Sequence, residues 1–171
     1  MSFPYALPPL DPGAPFDRHR GAVRPEWIDA NGHMNVGYYL VAFDLATDTF
    51  CEQFGIGWSY AEHQLGMVFI LEAHATYDRE LRSGDPLRVT TQILDFDEKR
   101  LHFFHAMYHG NAGWLAATNE LLMLHVDHGS RRAAPWRAET LERIAAVAAA
   151  HRTLPRPERA GRVIAIRHTA A

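Results

Sequence analysis

The chain has 171 residues, 47% of them hydrophobic, and a formal net charge of −3, which is the size and composition of one globular domain with a single core. That balance excludes nucleic acid and anionic membrane surfaces as main partners, and no apolar run approaches the roughly 20 residues that span a bilayer. Cys51 is the only cysteine, so no intrachain disulfide can form and a reducing compartment suits the chain; with no basic-then-apolar leader, the expectation is a soluble cytoplasmic protein.

Residues 1–18 contain Pro4, Pro8, Pro9, Pro12 and Pro15 and read as an extended arm. A short strand is expected around Arg20 to Trp27, followed by a polar loop from Asp29 to Asn35. From Val36 to Phe54, Leu40, Phe43, Thr47, Phe50 and Phe54 recur at three- and four-residue spacing, widened by Leu45 and Ala46. This predicts a helix with a broad apolar face that must be largely covered, stopped at Gly55. A second short helix is expected over Trp58 to Gln64.

The next stretch reads as strands: Met67 to Glu80, Leu87 to Asp95, Arg100 to His109 and Trp114 to Asp127. They are separated by turn residues at Ser83-Gly84-Asp85-Pro86, Asp97-Glu98-Lys99 and Gly110-Asn111-Ala112-Gly113. Short turns between successive strands predict an antiparallel meander. Pro135 opens an alanine-rich helix to His151, with Leu141, Ile144 and Val147 on one side, and the tail beyond it is extended. The domain plan is an arm over 1–18, one α+β domain over 19–152 and a tail over 153–171.

The loop carries the chemistry. Asp29, Asn31, His33 and Asn35 alternate, so an extended backbone would point them the same way. Asn35 leads into the helix, whose free N-terminal N–H groups at Val36, Gly37 and Tyr38 can polarise a carbonyl. A carboxylate beside them, Asp29, can attack that carbonyl or deprotonate a water. Asp and Asn before a helix are also ordinary caps and turn-formers, and spacing alone does not separate the two roles.

Other candidates are weaker. Glu72 lies among Val68, Phe69, Ile70 and Leu71, so it is either a buried carboxylate needing a partner or an outward-facing strand residue. His102, His105 and His109 share one strand but not one face, and no metal-binding spacing is present, so no metal or other cofactor is expected. Cys51 reads as a small buried residue. Of the 17 basic residues only Lys99 is a lysine. Arginine suits bidentate phosphate contacts, and Arg79, Arg82, Arg88, Arg131 and Arg132 are candidates, although solvated surface is the default for each.

The run Asp29-x-Asn31-x-His33-Met34-Asn35 resembles the hotdog-fold acyl-CoA thioesterases of the 4-hydroxybenzoyl-CoA thioesterase-like group, in which an aspartate three residues before a Gly-His-Val-Asn run is the catalytic carboxylate. Asp29 holds that place before Gly32-His33-Met34-Asn35. A closer likeness extends from Arg20 onward: Trp27-x-Asp29-x-Asn31-Gly32-His33-Met34, Glu72-x-His74, Thr91-Gln92-x-Leu94, Asp97 to His102, Leu124 to Asp127 and Leu154-Pro155-Arg156-Pro157 are similar to the betainyl-CoA thioesterases, alone or fused to carnitine dehydrogenase. The fused forms continue Gly-His-Met-Thr-Glu where this chain reads Gly32-His33-Met34-Asn35-Val36.

The resemblance implies a hotdog fold, an antiparallel sheet wrapped around a long central helix. It implies hydrolysis of a small acyl-CoA thioester, betainyl-CoA among the candidates, in carnitine breakdown. It further implies Asp29, His33 and Asn35 as catalytic residues, and a homodimer or dimer of dimers with the site between subunits. Asn31, Trp58, Tyr60, Phe69, Glu72 and Tyr77 are the expected substrate contacts, since aromatic faces suit a quaternary ammonium acyl group. Another short-chain, fatty or aromatic acyl-CoA, a hotdog hydratase or dehydratase, and a non-catalytic acyl-CoA-binding module are the competing expectations.

Overall fold

The computed structural model describes residues 3–166; of the expected arm and tail, 1–2 and 167–171 lie outside the described residues. In chain order come β1 (Phe16–Ala22), a 3-10 turn (Pro25–Trp27), α1 (Val36–Glu52), α2 (Trp58–Glu62), β2 (Met67–Tyr77), β3 (Pro86–Phe96), β4 (Arg100–His109), β5 (Leu115–Val126) and α3 (Ala138–His151). The five strands form one antiparallel sheet in the order β1-β3-β4-β5-β2, and α1 lies on one face. This is the expected α+β hotdog layout.

Helix α1 starts where a cap allows it. Asn35 is in an extended conformation and its side-chain oxygen accepts the Gly37 N–H at 3.0 Å, which satisfies one of the orphan donors of the first turn. The helix ends before Gly55, whose φ of +73° lets the chain reverse while the Ile56 N–H returns to the Cys51 carbonyl. Tyr39, Phe43, Thr47 and Phe50 face the sheet and are buried. The Phe50 ring meets Phe54 edge-on at 4.9 Å and Phe103 at 5.7 Å. The broad apolar arc is not covered all round, however. Val36, Leu40, Val41 and Leu45 are exposed, because a single sheet covers only one side of a helix.

Three other expectations are corrected. The four later strands are not one meander: β3, β4 and β5 are, but β2 pairs with β5 at the far edge, with His74 opposite Glu120. The Ser83 to Pro86 stretch closes no hairpin. Its Gly84 N–H and Asp85 carbonyl are tied to Val23, just after β1. Turn residues fix a change of direction, whereas the partner of a strand is a non-local choice. The first strand is Phe16–Ala22 rather than Arg20 to Trp27, since Pro25 supplies no ladder N–H and begins the 3-10 turn instead. It therefore starts inside the stretch read as the arm. Finally, α3 begins at Ala138, not Pro135, with Arg137 in an extended cap position.

The arm lies against the body: Tyr5 donates to the Gly55 carbonyl at 2.8 Å and Arg143 to that of Pro8 at 2.6 Å. Beyond α3 the tail crosses the sheet face opposite α1, where Leu154 and Pro155 line a cavity together with Gln92, Phe104 and Ala106, the Gln92 amide donates to the Pro155 carbonyl, and Arg159 pairs with Asp78.

A polar bridge joins helix and sheet. His105 is fully buried, with Thr47 of α1 2.9 Å from Nε2 and Thr91 of β3 2.8 Å from Nδ1, and it stacks on Phe43. Burial first, and then the charge of His19, pushes its pKa from 6.5 down to about 3. His19 and His151 shift the same way, chiefly by burial. A folded-state pKa below the unfolded one means the unfolded chain binds more protons, so stability is full above the unfolded pKa and lost as pH falls. The melting temperature is therefore expected to hold above pH 6.5 and to fall progressively between there and pH 3. His105→Asn should flatten that acid limb in a calorimetric pH series.

Candidate active site

The Asp29 to Asn35 loop is a tight turn, not an extended run. The Gly32 N–H returns to the Asp29 carbonyl and the Asp29 N–H to the His33 carbonyl, each at 3.0 Å, and Ile28 bridges Met34. Gly32 sits at a φ of +81°, a conformation glycine adopts without strain. Alternation is therefore not what gathers these residues. The turn brings His33 Nδ1 to 3.9 Å from Asp29 Oδ1, and that same oxygen accepts the Asn31 N–H at 2.8 Å. The turn is anchored by the Asn35 N–H on the Trp27 carbonyl and the Met34 N–H on the Leu81 carbonyl.

A cleft of about 320 Å³ opens beside it, lined by Asp29, His33, Asn35, Val36, Tyr39 and Tyr77, with Asp78 to Glu80 on its far side. Tyr39 forms its floor. The phenol accepts the Leu81 N–H at 3.1 Å and donates to the Arg79 carbonyl at 3.4 Å, and its ring meets Tyr77 edge-on at 5.3 Å. Burial raises the pKa of both phenols, so they stay protonated and can donate. A carboxylate, an imidazole and a helix N-terminus thus share one cleft, which is the equipment for attack on a polarised carbonyl.

The expected oxyanion groups do not act alike. Asn35 engages two of the three: its side chain takes the Gly37 N–H and its carbonyl the Tyr38 N–H at 3.0 Å. Among the described residues no acceptor meets the Val36 N–H, and Val36 lines the cleft. The cap that starts α1 uses up the donors beyond the first.

The expected substrate contacts are scattered. Tyr77 lines the cleft, but Asn31 does not; its backbone closes the turn. Tyr60 is core, its hydroxyl 2.9 Å from His125 Nε2 and its pKa pushed up to about 12 by burial. Phe69 lies under Arg131. Glu72 is an exposed residue of the opposite sheet face, beside His74, His102 and Glu120, so the buried-carboxylate alternative is overturned. Trp58 lines a separate cavity at the other end of α1. Of the candidate arginines, Arg79 borders the cleft and stacks on Trp114, whereas Arg82 pairs with Glu80 and Arg88 with Asp17. Cys51 is fully buried, and burial pushes its thiol up, away from the reactive thiolate. Tyr39 and Glu80 were missed by the sequence reading. Tyr39 falls on the buried stripe of α1, and nothing in a stripe separates a cleft floor from plain core.

The sequence profile described as "Thioesterase-like superfamily" matches residues 23–144. The chain belongs to that superfamily. This thioesterase is 40% identical over 144 residues to the betainyl-CoA thioesterase of Pseudomonas aeruginosa, covering 84% of this chain and 91% of that one. It is 38% identical to the L-carnitine dehydrogenase/betainyl-CoA thioesterase of Ruegeria pomeroyi, covering 94% of this chain but only 33% of that longer protein. Among solved structures it resembles a hypothetical protein of Staphylococcus aureus in complex with CoA, with 33% identity, a TM-score of 0.81 and coverage of 89% and 98%. A putative thioesterase of Pseudomonas putida follows with 30% identity, a TM-score of 0.78 and coverage of 90% and 98%. The chain is accordingly a thioester hydrolase.

The Asn35 cap should be separable from the chemistry. Asn35→Ala removes the side-chain cap of α1 and is expected to lower stability by about 1 kcal/mol. Asn35→Asp keeps an acceptor and should restore the urea midpoint.

Proposed function

We propose that this thioesterase hydrolyses a small acyl-CoA thioester, with betainyl-CoA as substrate and betaine and CoA as products. The observation that carries the reading is that Asp29 and Val36, the first residue of α1, line one cleft. The 40% identity to a betainyl-CoA thioesterase supports the acyl group, and the neighbour solved with CoA supports the carrier. Asp29 deprotonates a water or attacks the thioester carbonyl itself. The helix N-terminus stabilises the oxyanion that forms, and the C–S bond then breaks, with the thiolate taking up a proton; where Asp29 itself attacks, water then hydrolyses the anhydride formed on it and frees the acid. His33 orients the carboxylate. Neither metal nor cofactor has a part in this scheme, and a lone buried thiol is at home in the cytoplasm.

We further infer that the working unit is a homodimer joined through β2. The two edges of the sheet differ. β1 presents Asp17, Arg18 and Arg20, charges of the kind that blunt an edge. β2 presents an exposed, largely apolar run, Phe69-Ile70-Leu71-Glu72-Ala73, with an irregularity of its own between Ile70 and Glu72, and among the described residues no strand lies beyond it; Leu40, Val41 and Leu45 of α1 are exposed as well. A second copy paired antiparallel along this edge covers that run.

Thiol release measured against betainyl-CoA, straight-chain and aromatic acyl-CoAs tests the activity. Betainyl-CoA should give the highest kcat/KM, and Asp29→Asn should lose at least ~100-fold in rate. Near-normal turnover by that variant would remove Asp29 from the mechanism, and no thiol release from any of them would turn the reading to a hydratase or a binding module. Leu71→Glu, a charge on the paired edge, should halve the mass in analytical ultracentrifugation and lower thiol release in step.

A further inference from the structure

The tail beyond α3 lines no part of the cleft, yet it is fastened to a residue that does. It crosses the sheet face opposite α1 and is held at two points. The Pro155 carbonyl accepts the Gln92 amide at 3.3 Å, and the Gly161 N–H donates to Glu120 Oε2 at 2.6 Å. Pro155 and Pro157 stiffen the stretch between them. Arg159 stands within that stretch. Its guanidinium donates to both carboxylate oxygens of Asp78 and, at 2.9 Å, to the Thr76 hydroxyl, which lies 2.6 Å from that of Thr118.

An open surface ion pair would mean little. This one is a two-pronged fork on a carboxylate, a geometry that lysine cannot supply, and the two side chains are only 31% and 22% exposed. It also lands at a particular place. Asp78 follows directly on β2, where the ladder ends: the N–H groups of Asp78 and Arg79 both turn to the Ala116 carbonyl, at 2.8 and 3.2 Å. From there the chain runs through Arg79 and Glu80 to Leu81 without helix or strand, and Asp78, Arg79 and Glu80 border the cleft opposite Asp29.

The other end of this segment is tied to α1 and to the Asp29 loop. The Tyr39 hydroxyl donates to the Arg79 carbonyl and accepts the Leu81 N–H, and the Leu81 carbonyl takes the Met34 N–H at 2.7 Å. Four irregular residues are thus gripped twice, by Tyr39 of α1 and by Arg159 of the tail. Irregular backbone at the end of an edge strand has few ladder bonds of its own to hold it, so these two grips decide where the far side of the cleft stands.

We propose that Arg159 is a positioning residue for thioester hydrolysis, acting through Asp78 to hold the 78–81 segment against the cleft. This role rests on the reading of that cleft as the site of acyl-CoA hydrolysis. It makes the tail part of the catalytic apparatus although no tail residue touches the substrate.

The test follows thiol release by the full-length enzyme with the acyl-CoA it cleaves fastest. Arg159→Gln should raise KM at least ~5-fold and leave kcat within about twofold of native, since a displaced wall weakens substrate and transition-state binding alike. Arg159→Lys keeps the charge without the fork and should fall between the two. Asp78→Asn should raise KM similarly, and the double variant Arg159→Gln/Asp78→Asn should be no worse than Arg159→Gln alone, because both changes remove one contact. A tail that only held the fold together would lower the fraction of active enzyme, and with it the apparent kcat, and leave KM alone. Unchanged KM in Arg159→Gln and Asp78→Asn, or losses that multiply in the double variant, overturns the proposal. If Arg159→Gln fails to fold, Arg159→Lys and Asp78→Asn carry the same comparison. No thiol release by the native enzyme from any acyl-CoA, or full turnover by Asp29→Asn, overturns instead the reading of the cleft.

Discussion

The His105 ring, clasped between Thr47 of α1 and Thr91 of β3, fixes how the helix lies on the sheet. Apolar packing of Phe43, Phe50 and Phe103 supplies most of the adhesion, but it is non-directional and would tolerate sliding. Two hydrogen bonds to one buried imidazole tolerate far less. The height of α1 on the sheet then decides where its first turn emerges, and with it the lining of the cleft beside the Asp29 loop. Tyr39 extends the same constraint to the cleft itself, since its hydroxyl ties α1 to the backbone of Arg79 and Leu81.

The site is built from local devices on that frame. Asn35 caps the helix and Gly32 closes the turn. Asn31 contributes a backbone N–H that holds the Asp29 carboxylate in place. These roles are compatible with the proposed catalytic one. The residues that look like caps and turn-formers are caps and turn-formers, and doing that job brings Asp29 and the first residue of α1 to the lining of one cleft.

Much of this was legible in the sequence because it is local. The three- and four-residue spacing of Phe43, Thr47, Phe50 and Phe54 marks α1, and the Asn35 cap marks its start. What depended on distant partners was not legible. Nothing in Met67 to Tyr77 says that it pairs with β5 rather than β3. β1 escaped because an edge strand carries charges, and Asp17-Arg18-His19-Arg20 does not read as a strand by apolar alternation. Leu40 and Leu45 look like core because they are apolar, although the chain alone leaves them exposed. Trp58 and Tyr60 stand two residues apart in one short helix, yet one is open and the other fully buried, a difference that composition cannot carry.

The unequal edges of the sheet also bear on how far an assembly can grow. A sheet open at both ends can accept copy after copy and run on into a filament. Here the charges of β1 disfavour a neighbour, and in the proposed dimer pairing along β2 would use the one apolar edge of each copy. Self-association by that route is a two-fold, self-limiting event, and the same apolar strand that would be an aggregation hazard at both ends becomes a terminus once it is matched.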